Sequence, residues 1–251
     1  MDLAHLALVG AAAAAGGAVN AIAGGGSLIT FPALLACGVP AIVASATNTV
    51  AMCPGYLGAT WAQRKELAGQ GKRAARIVPA AALGGATGAW LLLHTNAHVF
   101  DVVVPFLLLF AVALLGFQDQ IRARLHTIAN NEALAVPITA FAAVYGGYFG
   151  AGLGVIILAA LAIVIGDSLV RLNALKQLIS LAVNVTAALV FLAIADLDTV
   201  TVLVMAGASL VGGVGGGAIA SRVSAKLLRL LVITIGIAVS AIYFVKLFRT
   251  L

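Results

Sequence analysis

The sequence predicts an all-α, polytopic integral membrane protein, folded as one transmembrane domain from two inverted-topology repeats with short broken or re-entrant half-helices. Three observations lead there. Charged residues occupy 9% of the 251 positions and hydrophobic residues 63%, whereas a soluble domain carries about 25% charged residues. The apolar positions form runs separated by short loops, many of the runs long enough to cross a bilayer. The chain also matches itself without a gap when slid by 128 residues.

Taken in order, the apolar segments run over 3–19, 27–37, 41–62, 74–93 and 99–117, then 133–147, 154–165, 169–195, 199–220 and 227–248. Most are long enough to span. Segments 27–37 and 154–165 hold 11 and 12 residues, which reach only about 17 to 18 Å across a core about 30 Å thick. They read as half-helices. The first segment has no Lys or Arg before it, so it lacks the basic start of a signal peptide and reads as a retained membrane segment. Prolines at 32, 54, 79, 105 and 137 mark kinks or helix starts.

The 128-residue offset aligns Ala23-Gly24-Gly25-Gly26 with Ala151-Gly152-Leu153-Gly154, Gly38 with Gly166, Ala46 with Ala174, and Gly84, Gly85 and Gly88 with Gly212, Gly213 and Gly216. One offset held over about 60 positions argues for two copies of one unit, the first over about 1–120 and the second over about 129–248. Loop charges orient them. The 63–76 loop carries Arg64, Lys65, Lys72, Arg73 and Arg76, while its counterpart holds Asp196 and Asp198 and no cation. The 94–101 loop has no Lys or Arg, yet its counterpart holds Arg222, Lys226 and Arg229. Equivalent loops therefore face opposite sides, the 63–76 loop being cytoplasmic. Lys246 and Arg249 fall on the other side and do not fit this pattern. Transporters built from inverted repeats place their site near the midplane, where the repeats meet.

The net charge of +6 and pI near 9.8 follow from the basic loops, and nucleic-acid binding is not expected. Cys37 and Cys53 lie in apolar segments and read as packing residues. His94 and His98 have i, i+4 spacing but no third ligand nearby, so no metal is expected, nor any cofactor. Ser27 has no mid-span His or Lys beside it in sequence, which argues against an intramembrane protease, and the low charge content excludes a soluble enzyme, so no enzyme is expected.

Gly24-Gly25-Gly26-Ser27 and Gly150-Ala151-Gly152-Leu153-Gly154 each precede a half-helix. Glycine lets the backbone unwind beside a ligand, and the half-helix then aims N–H groups and the positive end of its dipole at that point. The glycines at 84, 85, 88, 212, 213 and 216 lie inside long spans and read instead as close helix packing. Lys176 lies seven residues into the span from Leu169, about 10 Å along the helix, and buried cations in membranes are functional hypotheses. The competing reading is a side chain snorkelling to the interface. Its counterpart is Asn48, within Thr47-Asn48-Thr49, and Asn173, Gln177 and Asn184 extend the polar face of the same span, while Arg171 reads as interfacial. No Asp or Glu falls mid-span: Asp101, Glu132 and Asp167 sit at segment edges. A cation carrier or a carboxylate proton relay would need one, whereas an anion suits this interior.

These residues resemble the TauE/SafE group of sulfite and organosulfonate exporters. The first copy reads Asn20-Ala21-Ile22-Ala23-Gly24-Gly25-Gly26-Ser27, Pro32-Ala33-Leu34-Leu35, Gly38-Val39-Pro40 and Ala44-Ser45-Ala46-Thr47-Asn48. The second reads Gly147-Tyr148-Phe149-Gly150-Ala151-Gly152-Leu153-Gly154, Gly166 and Leu172-Asn173-Ala174-Leu175-Lys176. It departs from the pattern at Leu153, where a glycine is common, and at Ala160, where a proline would match Pro32. The likeness covers nearly the whole chain. It implies a multi-pass protein of the bacterial inner membrane that exports sulfite, sulfoacetate or related sulfonates.

The expected function is therefore export of a small sulfur-containing oxyanion by alternating access. The expected site comprises Asn20, Gly24, Gly25, Gly26, Ser27, Thr47, Asn48, Gly152, Gly154, Lys176, Gln177 and Asn184. A passive anion channel and a non-transporting scaffold subunit are the alternatives, and the sequence leaves open whether the chain is a monomer or a homodimer.

Overall fold

The computed structural model describes residues 1–22, 24–125, 132–219 and 225–250. Ala23 and Arg222 lie outside them, and of Lys226, Arg229, Lys246 and Arg249 only the backbone is described, so these charges do not enter the account below. Ten α-helices follow one another: α1 (Leu3–Ile22), α2 (Ser27–Ala36), α3 (Ala41–Ala62), α4 (Gly71–Leu93), α5 (Ala97–Leu125), α6 (Ala135–Tyr148), α7 (Leu153–Val164), α8 (Leu169–Ile194), α9 (Thr199–Ile219) and α10 (Ala225–Thr250). Two 3-10 turns, Arg64–Leu67 and Glu132–Leu134, lead into α4 and α6.

Helix ends follow the local chemistry. Pro40 sits at the N-cap of α3, where a missing N–H costs nothing, and the Ser168 hydroxyl caps α8 by accepting from the Arg171 amide. Pro32, Pro54, Pro79 and Pro105 lie inside helices, and Pro137 in the first turn of α6. The expected segments and the helices agree to within a few residues, with one exception. The span expected to end at Phe117 continues to Leu125. The segment opening the second copy is a helix of only 14 residues, about 21 Å long, so α6 as well as α2 and α7 falls short of a full crossing.

Five helices, α1, α4, α5, α8 and α9, have spans long and apolar enough to cross a membrane. Leu83, Phe141, Leu203, Val211 and Ile242 are each at least 65% exposed, an apolar perimeter that suits lipid and not water. α3 is the reverse: 22 residues long, it buries Ser45, Thr47, Asn48, Thr49 and Thr60 because it is enclosed by other helices.

Chain order is not spatial order. α9 packs on α1 and α3, and α4 packs on α6 and α8, so each forms a bundle with helices from the other half of the sequence. α3 meets α8 and α5 meets α10 between the bundles, while α7 touches α5 and α2 touches α10. The glycines of α4 and α9 explain the crossings. A Cβ on Gly84 would stand 2.5 Å from the Ala140 carbonyl oxygen, and one on Gly88 2.1 Å from that of Val144. On α9 the corresponding distances are 1.9 Å from Gly212 to the Ala14 oxygen and 2.2 Å from Gly213 to the Gly55 oxygen. These glycines serve backbone-to-backbone approach, as expected. Hydroxyls add to both seams: Ser209 Oγ donates to the Ala51 carbonyl (2.7 Å) and Thr186 Oγ1 to the Ala82 carbonyl (2.8 Å).

At the end of the molecule bearing the 63–76 loop, Arg73 joins Glu132 (2.5 Å) and Asp167 (2.7 Å), and Arg171 adds a second bond to Asp167 (3.0 Å). Arg171 also donates to the Ala68 carbonyl. The Arg73 guanidinium holds the Glu132 carboxyl below its ordinary range. Partial burial alone would raise the Asp167 carboxyl, but hydrogen bonds from Arg73, the Ser168 amide and Arg171 outweigh it and hold this group low as well.

Candidate functional site

Both glycine motifs interrupt helices where expected. Gly24 and Gly25 have φ of +80° and +85°, and Gly150 and Gly152 both +77°, left-handed values that a side chain would strain. The turns bring the two breaks together. A Cβ on Gly154, in the first turn of α7, would lie 3.4 Å from Gly24 Cα and 3.6 Å from Lys176 Nζ. The start of α7, the turn leading into α2 and the Lys176 ammonium thus share one point. Gly25 and Gly152 face elsewhere: the Cβ positions at these two turns look toward Leu115 and Ala111 of α5, so they shape the turns.

Asn20, in the last turn of α1, organises the first break. Its Oδ1 accepts from the Gly26 amide at 2.6 Å, meeting one donor at the start of α2. Its backbone carbonyl accepts from Lys176 Nζ (3.3 Å) and from Gln177 Nε2 (3.0 Å), which also reaches the Ala21 carbonyl (3.1 Å). Asn20 Nδ2 and Gln177 Oε1 are buried without a hydrogen-bond partner. An unsatisfied buried amide costs about 1–3 kcal/mol, and here a donor and an acceptor are left beside a cation. Gly26 has no room for change, since a Cβ there would stand 2.0 Å from the Gly16 oxygen.

Lys176 is 1% exposed. It does not snorkel; the side chain turns inward and ends at Gly154 and Asn20. Among the described residues it is the only charged side chain so buried, and no buried Asp or Glu accompanies it. The starts of two half-helices and the Lys176 amine thus meet here, against the carbonyl end of α1.

The remaining expected residues divide. Asn48 joins the first break through Thr30, whose hydroxyl donates to Asn48 Oδ1; Thr30 lies one turn beyond Gly26. Ser27 is buried as the first residue of α2, and Thr47 is buried on α3. Asn184 stands eight residues from Lys176, about 12 Å along α8, with its amide donating to the Ser180 carbonyl, so it does not join the cluster at Lys176. Among the described residues no group of His, Cys, Asp and Glu could hold a metal ion.

Two participants escaped the sequence reading. Thr30 carried a usable signal, a hydroxyl one helical turn after the glycines in an otherwise apolar half-helix. Gln63 carried none, since it stands among other polar residues at the start of a basic loop. Its Nε2 donates to the Ala21 carbonyl (3.3 Å) and its Oε1 accepts from Asn173 Nδ2 (2.8 Å).

The family model described as "Sulfite exporter TauE/SafE" matches residues 8–243, which include both breaks and Lys176. The chain belongs to the TauE/SafE family. It is 30% identical over 181 residues to a "Probable membrane transporter protein" of Haemophilus influenzae, covering 69% of each chain. With "Probable membrane transporter protein ORF9" of Sinorhizobium it shares 28% identity over 94% of its own length and 90% of the relative's. For "Probable membrane transporter protein YfcA" of Escherichia coli the figures are 26%, 90% and 84%. No solved structure gives a significant match. As a TauE/SafE protein the chain is a multi-pass membrane transporter and not an enzyme.

Proposed function

We propose that the protein exports small sulfur-containing oxyanions, sulfite or organosulfonates, by alternating access through a site at Lys176. The observation that carries this reading is the convergence of Lys176 Nζ with Gly154 and Gly24 beside the unpartnered Asn20 Nδ2. An oxyanion offers several acceptor oxygens and a delocalised negative charge. The ammonium, the Asn20 amide and the half-helix starts supply the matching donors. The matched family's description names sulfite. Outward movement of a monoanion from a negative cell interior gains about 2.3 kcal/mol per 100 mV, so a uniporter suffices.

Two copies of one unit, 128 residues apart, account for the packing. Exchanging α1 to α5 with α6 to α10 turns the α1/α9 seam into α6/α4, α3/α9 into α8/α4, and α2/α10 into α7/α5, all of which occur. Because α4 and α9 are exchanged between the bundles, the bodies that rock are α1, α2, α3 and α9 against α4, α6, α7 and α8. Each body is thus assembled from both halves of the sequence.

The test is flux of sulfite and short-chain sulfonates in proteoliposomes carrying Lys176→Ala and Lys176→Arg. The alanine variant is expected to lose saturable flux, with the arginine variant retaining part of it. Unchanged flux in the alanine variant would refute the site. Ohmic current in place of saturable, counter-flow-stimulated flux would make the protein a channel.

A further inference from the structure

A cavity of about 440 Å³ opens at the end of the molecule that carries the 63–76 loop. Its rim is exposed at Lys65, Leu169 and Val170, and Ile22, Gln63 and Asn173 stand on its wall. Gln63 closes α3 and Asn173 lies in the second turn of α8, so their 2.8 Å hydrogen bond joins the two bundles across the cavity wall. The same Gln63 amide holds the Ala21 carbonyl, Gln177 holds both Ala21 and Asn20, and Lys176 holds Asn20. One ladder of bonds thus runs from the cavity to Lys176. Apart from Gln63 to Ala21, which lies within one bundle, each of its rungs ties α8 to the opposite bundle.

We propose that this cavity is an antechamber that receives a small organic or inorganic anion from the loop side, and that the Gln63–Asn173 pair is the gate between it and Lys176. The chemistry fits a gate. The bond is neutral and single, so an arriving anion can break it. Breaking it frees the Asn173 Nδ2 group to donate to that anion. An ion pair here would bind too firmly or repel the cargo. The antechamber also has apolar walls at Ile22, Leu158 and Leu169, which suit an anion bearing a short carbon chain. The role as gate follows from transporter membership and this geometry; the identity of the cargo rests on the reading above.

The experiment places cysteines at both positions, Gln63→Cys with Asn173→Cys, in protein whose native Cys37 and Cys53 are replaced by alanine. Oxidation, or bridging by a short bis-methanethiosulfonate where the sulfurs do not meet directly, joins the two positions through disulfides and is expected to reduce flux to that of empty vesicles. Dithiothreitol should restore it, and neither single cysteine should respond. Cross-linked protein, verified by mass, that transports at the reduced rate would overturn the gate. Hydrogen exchange of purified Gln63→Ala keeps the idea testable whatever the cargo is. Amides around Asn20–Ile22 should exchange severalfold faster than in the wild type, and unchanged exchange there would equally overturn it. A wild type that carries no oxyanion, combined with faster exchange in Gln63→Ala, would refute the cargo alone.

Discussion

The two breaks share a backbone plan and differ in everything attached to it. The first is polar: Asn20 caps Gly26, receives Lys176 and Gln177, and is followed by the Thr30–Asn48 bond. The second is aromatic. Phe149 meets Phe31 edge-on at 5.3 Å and Phe100 at 6.3 Å, and the Tyr145 hydroxyl ties down the Ala151 carbonyl at 2.7 Å. At the position 128 residues after Asn20 stands Tyr148, against Phe100 and the Thr95 hydroxyl. The difference teaches a division of labour. One break is built from hydrogen-bonding groups, and the other from rings that pack firmly edge to face.

If that division holds, substitutions in the two breaks should diverge, most at the glycines. Gly26→Ala would drive a methyl into the Gly16 carbonyl and is expected to abolish monodisperse protein on size-exclusion chromatography. Gly150→Ala meets the Gly146 oxygen at 3.1 Å with φ +77°, a strain of about 1–2 kcal/mol, and should fold with a lowered Tm. Equal losses would remove the contrast.

Next in size is Asn20→Ala, which leaves the Gly26 amide without its cap and should cost about 1–3 kcal/mol of stability along with flux. Tyr148→Phe gives up one 3.3 Å bond to Thr95 while the ring stays in place, and is expected to keep flux with a loss below about 1 kcal/mol. Thermal unfolding and proteoliposome flux on both variants decide this.

The smallest effect concerns acid. The second bundle is clamped at its loop end by Arg73, Glu132 and Asp167, and both carboxyls titrate below their ordinary values of 4.5 and 3.8. For depressed carboxyls the stabilisation is complete above the unfolded values and is lost as pH falls through the lower, folded ones. Tm should therefore hold constant from neutral pH to about 5 and fall below about 4, with Arg73→Ala flattening the acid slope. The pairs are partly exposed, so salt should reduce the same slope.

Most of the helices were legible because each is decided locally. A run of apolar residues between loop charges reads the same wherever it packs, and the glycine breaks announce themselves by composition. The cluster around Lys176 was half legible. The lysine, the glycines and Asn20 stood out as polar or flexible residues in apolar surroundings, Thr30 offered the weaker signal of a hydroxyl one turn after the glycines, and Gln63 gained meaning only from a partner 110 residues away. Asn184, on the same polar face of α8, was placed too far along the helix to join, since a shared face fixes direction and not depth.

By itself, the sequence determined that this chain lives in a bilayer and where it breaks, because hydropathy and glycine act within a few residues. Only the tertiary structure decided that α4 and α9 each pack with helices from the other half of the sequence, that Lys176 turns inward to Asn20 and Gly154, and that Gln63 meets Asn173. Those contacts are set by which glycine grooves accept which backbones, a property of two surfaces together that neither segment carries alone.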